Sequence, residues 1–301
     1  MFRTSRANLV FLKRTSLYQT TDTGEQKLYK PGGRTLHEMG VALENLPPRL
    51  HILPEEKTTA LAEIQTGLNQ RLKDQIKSHD TPAVKNTLVN LVGESLQDPT
   101  VNLVETTAEA VSTVIHAYMD QAAVLRSMAS MTFTDYTTAL HAVNVMVLAL
   151  NFALYHKLPL PRTQDLGLAA LLHDVGKTQV PAEILTAARR LTEEEFAQMR
   201  SHAVKGYNLL KKNDKVPGRV ALAALQHHER VDGSGYPHGI SDIPMTSKLI
   251  GLVDCYEAIT ADTRPYRDAM DPFTAMSLIK QDVRAGKIDE KLFEKFVVTL
   301  V

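Results

Sequence analysis

Between positions 141 and 254 the chain places five histidines (His141, His173, His202, His227 and His228) and two aspartates (Asp174 and Asp254) in or at the ends of apolar helical runs. The runs read DYTTALHAVNVMVLALNFAL, LGLAALLHDVGK, MRSHAVKGYNLL, VALAALQHHE and LIGLVDCYEAI. An imidazole or carboxylate withdrawn from water costs free energy unless a partner replaces the lost hydration. Singly, each has an ordinary explanation: His141 as a satisfied core residue, His202 on a surface helix, His173-Asp174 as a helix end closed by Gly176. Together they would need seven separate buried partners, whereas one polynuclear metal site satisfies them all. Imidazole and carboxylate without thiolate suit iron, manganese, nickel or zinc in a reactive rather than purely structural site. Seven donors exceed what a single ion with an open position can use. Two ions sharing a carboxylate, about 3.5–4 Å apart, fit the count and suit phosphodiester displacement.

Composition sets limits around that reading. The 301 residues are 44% hydrophobic and 23% charged, which excludes a disordered or low-complexity chain. Lys plus Arg and Asp plus Glu both number 34, so no global field draws in a nucleic acid polymer or an acidic membrane. A single cysteine, Cys255, rules out a disulfide framework and a cysteine-based zinc cluster. The apolar stretch Ala139 to Leu154 is interrupted by His141, Asn144 and Asn151, and is too short and polar to suggest membrane insertion. The N-terminal MFRTSRANLVFLKR lacks an apolar core followed by a small-residue cleavage site, so a cytoplasmic location is expected.

Periodicity divides the chain in two. Short β-prone runs at Asn8 to Lys13, Lys27 to Lys30 and Arg49 to Leu53 are separated by turns such as TTDTGE and KPGG. From Glu55 the stripe Leu61, Ile64, Leu68, Leu72, Ile76 predicts an amphipathic helix, ended by Asp80-Thr81-Pro82. A single long helix is predicted from about Val101 to Ser130, then helices near 134–156, 163–174, 192–212, 216–229, 246–262 and 272–284. The fold expected is mainly α: an all-helical catalytic domain, 116–301, preceded by a smaller accessory domain, 1–115, with some β structure and no ligand-like spacing.

The segments HDVGK (173–177), HHERVDGSGYP (227–237) and VDCYEAITADTRPYR (253–267) together resemble the HD-GYP family of the HD phosphohydrolase superfamily, over about 180 residues from near Met119. The resemblance implies an HD-type fold and hydrolysis of cyclic di-GMP to pGpG or onward to GMP. It implies two divalent metal ions, with iron first on ligand type. His141, His173, Asp174 and Asp254 would hold one, and His202, His227 and His228 the other, with Asp174 bridging and catalytic. Lys177 would meet a phosphate oxygen or protonate the leaving group, and Tyr236, Arg264 and Arg267 would bind substrate. A diguanylate cyclase meeting the GYP loop is the implied protein partner.

Two positions depart from the family pattern. Thr137 stands where some members carry a glutamate that holds a third metal. Thr263 inserts an extra residue before Arg264. The readings set beside a phosphodiesterase are a non-catalytic HD-GYP signalling module and an HD hydrolase of another cyclic or linear nucleotide.

Overall fold

The computed structural model describes residues 4–21, 23–119, 121–131, 137–261 and 270–300. Among them are three short strands and thirteen α-helices. The strands β1 (Leu17–Thr20), β2 (Gln26–Lys30) and β3 (Leu50–His51) form an antiparallel sheet in the order β2-β1-β3. Tyr18 sits opposite Leu28 on one side and His51 on the other. The run Asn8 to Lys13, predicted as β-prone, instead lies mostly in a 3-10 turn, Arg6–Phe11. Its Asn8 amide donates to Glu94 (2.8 Å) and Asn90 (3.1 Å), and Leu9 and Leu12 turn into the core, so the segment docks on a helix rather than a strand.

Helices α1 (Lys57–Lys77) and α2 (Thr81–Leu96) pair with each other behind this sheet. The Asp80 carboxylate caps α2 by accepting from Ala83 N, and Pro82 occupies its first turn. The Glu63 carboxylate on α1 accepts the backbone N–H groups of Lys13, Arg14 and Thr15, which fastens the N-terminal segment to the helical layer.

The predicted helix 101–130 is two helices, α3 (Leu103–Tyr118) and α4 (Ala122–Ser130). Gln121 leaves helical geometry (φ −129°, ψ 52°), and α4 turns to lay Leu125 and Met128 in the core beside the next helix, α5 (Thr138–Tyr155). α5 passes through the centre of the molecule with fourteen buried residues. By length and composition it could cross a membrane, but 78% of its apolar window is buried inside the fold, as in the core helix of a globular protein.

α6 (Leu160–Leu172) and α11 (Met245–Thr260) pack on α5, and α10 (Gly218–Gln226) packs on α6 and α11, with α7 (Ala182–Leu185), α8 (Glu193–Arg200) and α9 (His202–Leu210) following one another beside them. α12 (Pro272–Arg284) and α13 (Glu290–Val297) close the far side. The predicted helix 192–212 is also two, divided at Ser201, with His202 buried at the start of the second. α2 packs on α5 and α3 on α6, and one hydrophobic core runs without interruption from Leu9 to Phe296.

Candidate metal centre

α5, α6, α9, α10 and α11 each bring at least one titratable side chain to a single point. His141 comes from the first turn of α5, and His173 and Asp174 from the end of α6. His202 opens α9, His227 and His228 follow α10, and Asp254 lies midway along α11. The Asp174 carboxylate sits in the middle and divides the histidines. Its Oδ2 faces His141 Nε2 (3.5 Å) and His173 Nε2 (3.4 Å), and its Oδ1 faces His202 Nε2 (3.3 Å) and His227 Nε2 (3.8 Å). Asp254 Oδ1 lies 3.1 Å from His141 Nε2, and its Oδ2 lies 4.0 Å from His228 Nδ1. All seven sequence-predicted metal residues therefore meet in one cluster.

The rear nitrogens explain why the front ones point at a common centre. His173 Nδ1 donates to Ala170 O (2.7 Å), His202 Nδ1 to Met199 O (2.7 Å), and His227 Nδ1 to Ala223 O and Ala224 O (both 3.1 Å). A carbonyl can only accept, so the proton of each neutral ring sits on Nδ1 and the Nε2 lone pair faces the cluster, as ligation requires. Burial, joined by the neighbouring imidazoles, pushes His227 well below its usual value, and burial likewise lowers His173 and takes His228 to about 3. These rings stay neutral at physiological pH.

His141 differs. Burial works against its charge, but Glu257 behind it and Asp254 in front of it raise it to about 9. Burial alone would raise Asp174 and Asp254 too. Lys177 and the surrounding histidines hold Asp174 well below the carboxylate range, and His141 does most of the same for Asp254.

The donors fit a divalent cation. Asp174 Oδ1 is fully buried and accepts no hydrogen bond, which for a carboxylate oxygen is costly without a positive partner. Three overlapping groups, Asp174/His202/His227/His228, His141/His173/Asp174 and His173/His227/Asp254, each present ligand atoms within 4.8 Å of one another. Thr137 offers no comparable oxygen, because its hydroxyl caps α5 by accepting from Leu140 N.

Glycine makes this convergence possible at Gly176. A Cβ there would lie 1.9 Å from His202 O, so only glycine lets the turn after Asp174 rest on the start of α9. Lys177, in that turn, has a side chain 27% exposed, and its Nζ donates to Asp174 Oδ2.

The loop after His228 forms the rim. The Tyr236 ring stacks on His228 (centroids 4.5 Å apart, 26° between planes) and is half-buried, and burial pushes its hydroxyl upward. Glu229, beside the histidine pair, is no ligand. Its carboxylate accepts from His238 N (2.8 Å) and Ile240 N (3.2 Å) and so closes the loop, while Gly235 passes where a Cβ would strike the backbone of Glu229 and Arg230. Arg264 and Arg267 lie outside the described residues.

Sequence reasoning missed Glu257 and Arg200. Glu257 Oε2 takes the Nδ1–H of His141 at 2.5 Å, and its Oε1 accepts from Asn144 Nδ2 at 2.8 Å. Its signal was present: a second acid three residues after Asp254, hence on the same helix face. The Arg200 guanidinium lies over the rings of Phe196 (4.4 Å) and Tyr236 (5.1 Å), a contact no local pattern announces.

The sequence matches the HD domain family over residues 116–292, more than half of the chain. It is 35% identical over 175 residues to a cyclic di-GMP phosphodiesterase of Pseudomonas aeruginosa, a match covering 58% of this chain and 42% of that one. It is 32% identical over 161 residues to a 3'3'-cGAMP-specific phosphodiesterase of Vibrio cholerae, covering 52% of this chain and 36% of that one. The chain thus spans less than half the length of these curated relatives. An HDG"Y"P protein from Bdellovibrio bacteriovorus has a similar fold, with a TM-score of 0.64 at 19% identity over 97% of both chains. With the HD domain match over residues 116–292 spanning all seven clustered residues, and with HHERVDGSGYP forming the rim of the cluster, the chain belongs to the HD domain family, in its HD-GYP branch.

Proposed function

We propose that the chain is a binuclear metal-dependent phosphodiesterase that opens cyclic di-GMP to pGpG, with GMP as a possible further product, and that iron is the metal it prefers. The observation that carries this reading is the division of the cluster by Asp174, one oxygen toward His141 and His173 and the other toward His202 and His227. His141, His173, Asp174 and Asp254 would hold one ion, and His202, His227, His228 and Asp174 the other. Bound cations would acidify an attacking water and draw charge from the phosphate oxygens.

The chain's own residues do the rest. The carbonyl-fixed rings hold their donor atoms in place before substrate arrives, so little reorganisation is needed during the reaction. Lys177 lies at the mouth, able to move from Asp174 to a phosphate oxygen or to give a proton to the leaving oxygen. Tyr236 stands where substrate would enter. Arg264 and Arg267 are assigned to the substrate phosphates or guanine, for which a guanidinium fork is suited. Arg267→Ala is expected to raise KM about ten- to a hundredfold at unchanged metal content, the loss of one charge-assisted contact. Residues 1–115 are assigned an accessory role, and the GYP loop a docking role toward a diguanylate cyclase.

A second reading, a hydrolase of a mixed cyclic dinucleotide, is favoured by the 3'3'-cGAMP-specific Vibrio cholerae relative. The test is turnover of cyclic di-GMP and 3'3'-cGAMP by the full chain loaded with ferrous iron under reducing conditions. Higher kcat/KM for cyclic di-GMP supports the first reading, and higher kcat/KM for the mixed dinucleotide the second. Two bound metals with no turnover of either would leave a non-catalytic signalling module.

A further inference from the structure

The two halves of the cluster are built from unequal material. The half around Asp174 Oδ2 holds His141, His173 and Asp254, and behind His141 stands the buried carboxylate of Glu257 at 2.5 Å. The half around Asp174 Oδ1 holds three imidazoles, His202, His227 and His228; the rear nitrogens of His202 and His227 meet only neutral carbonyls, and His228 Nδ1 lies 4.0 Å from Asp254 Oδ2. The first half has the nearer oxygen of Asp254, a share of Asp174 and a third carboxylate, Glu257, behind a ligand. The second has its share of Asp174 and only the more distant oxygen of Asp254, 4.0 Å from His228 against 3.1 Å from His141 for the nearer one.

Access is unequal as well. The His141 and His173 side chains are 2% and 0% exposed, whereas that of His228 is 21% exposed and leans on Tyr236 at the rim. Glu257 is itself anchored. Its second oxygen accepts from Asn144, one turn along α5 from His141, so α5 and α11 are tied together at this carboxylate.

We infer that Glu257 is a positioning residue that makes the two metal positions unequal, so that the His141 half binds its ion tightly and the His228 half holds the exchangeable one. A carboxylate on the rear nitrogen fixes the ring and strengthens its front nitrogen as a donor, and removing such a partner typically costs about 10–100-fold in metal affinity. Extra anionic charge around a dication adds to this in a site of low dielectric. Turnover would then follow occupancy of the His228 half and respond to metal supply while the His141 half stays filled. The inference rests on the binuclear reading above and adds to it an order of loading.

The test is calorimetric titration of the full chain, stripped with a chelator, with cobalt(II), and elemental analysis after dialysis. The wild type is expected to bind two ions in steps separated by about tenfold or more. Glu257→Gln should weaken the tighter step about 10–100-fold and leave the weaker one within about threefold. His228→Ala should remove the weaker step and keep the tighter. Asn144→Ala, which only loosens Glu257, should move the tighter step in the same direction by less, and serves if Glu257→Gln folds poorly. Two equal steps, a Glu257→Gln effect confined to the weaker step, or no effect would overturn the inference and leave the binuclear reading standing. Fewer than two ions on the wild type would overturn both.

Discussion

Asp174 and Glu229 show how two acids beside signature histidines come to opposite uses. Asp174 is buried with an oxygen that accepts nothing, whereas both Glu229 oxygens accept backbone N–H groups of the rim loop. Glu229→Ala should therefore spare metal content but lower kcat/KM about tenfold or more, since two charge-assisted hydrogen bonds worth about 1.5–3 kcal/mol each no longer hold Tyr236 against His228. Metal analysis beside kinetics checks this, and metal loss in that variant would make Glu229 part of the metal framework instead. Six of the seven clustered residues were legible in the sequence because each lies in or at the end of an apolar run at a cost that needs a partner, whereas His202, in MRSHAVKGYNLL, was legible only through the family resemblance. Glu257 was not singled out, although it lies in the same run as Asp254, because its use depends on a histidine 116 residues away. Arg200 could not be read at all, since an exposed arginine on a polar helix looks like solvated surface until the fold brings Tyr236 beneath it.

Helices were legible where the apolar stripe is regular, as in α1, α5 and α11, and less so where the chain must turn to aim a side chain. Neither break, at Gln121 or Ser201, carries a proline or glycine, so nothing local announces them. The second falls directly before His202, which opens α9. The sequence marked residues 1–115 as an accessory domain without ligand-like spacing. α2 packs directly on α5, the helix carrying His141, with Val84, Leu88, Leu91 and Val92 in that layer, and Lys85 Nζ donates to Met131 O at 2.9 Å. Leu88→Ala should accordingly destabilise the fold by about 2–5 kcal/mol, read as a lower midpoint in urea unfolding. A chain starting at Val101 would lose α1 and α2 and uncover one side of α5, so lower stability or precipitation is expected. A stable, metal-loaded and active protein from such a chain would show that α2 only covers the catalytic helices.

Over the whole molecule, the cluster makes the stability of the metal-free protein depend on pH in a defined direction. His173, His227 and His228 have values lowered in the fold, so the unfolded chain binds more protons than the native one below about 6.5, and stability falls as pH drops through that range. His141 is raised to about 9, so its contribution is fully present below about 6.5 and is lost as pH rises through 9. Stability of the metal-free chain should peak near neutrality and fall on both sides. Added divalent metal should widen the plateau by raising stability wherever the rings are neutral. A denaturation series across pH 4–10 with and without metal checks both statements. A flat profile would mean that the imidazoles are not buried as a group.

In the proposed phosphodiesterase centre one carboxylate, Asp174, would be shared by two metal ions. The most direct test is elemental analysis of the full chain and of Asp174→Asn, purified without chelator, beside cyclic di-GMP turnover. An amide cannot share negative charge between two cations, so the wild type should carry about two metals and turn substrate over, and Asp174→Asn should carry about one or none and be inactive. Two metals and normal turnover in Asp174→Asn would contradict the account.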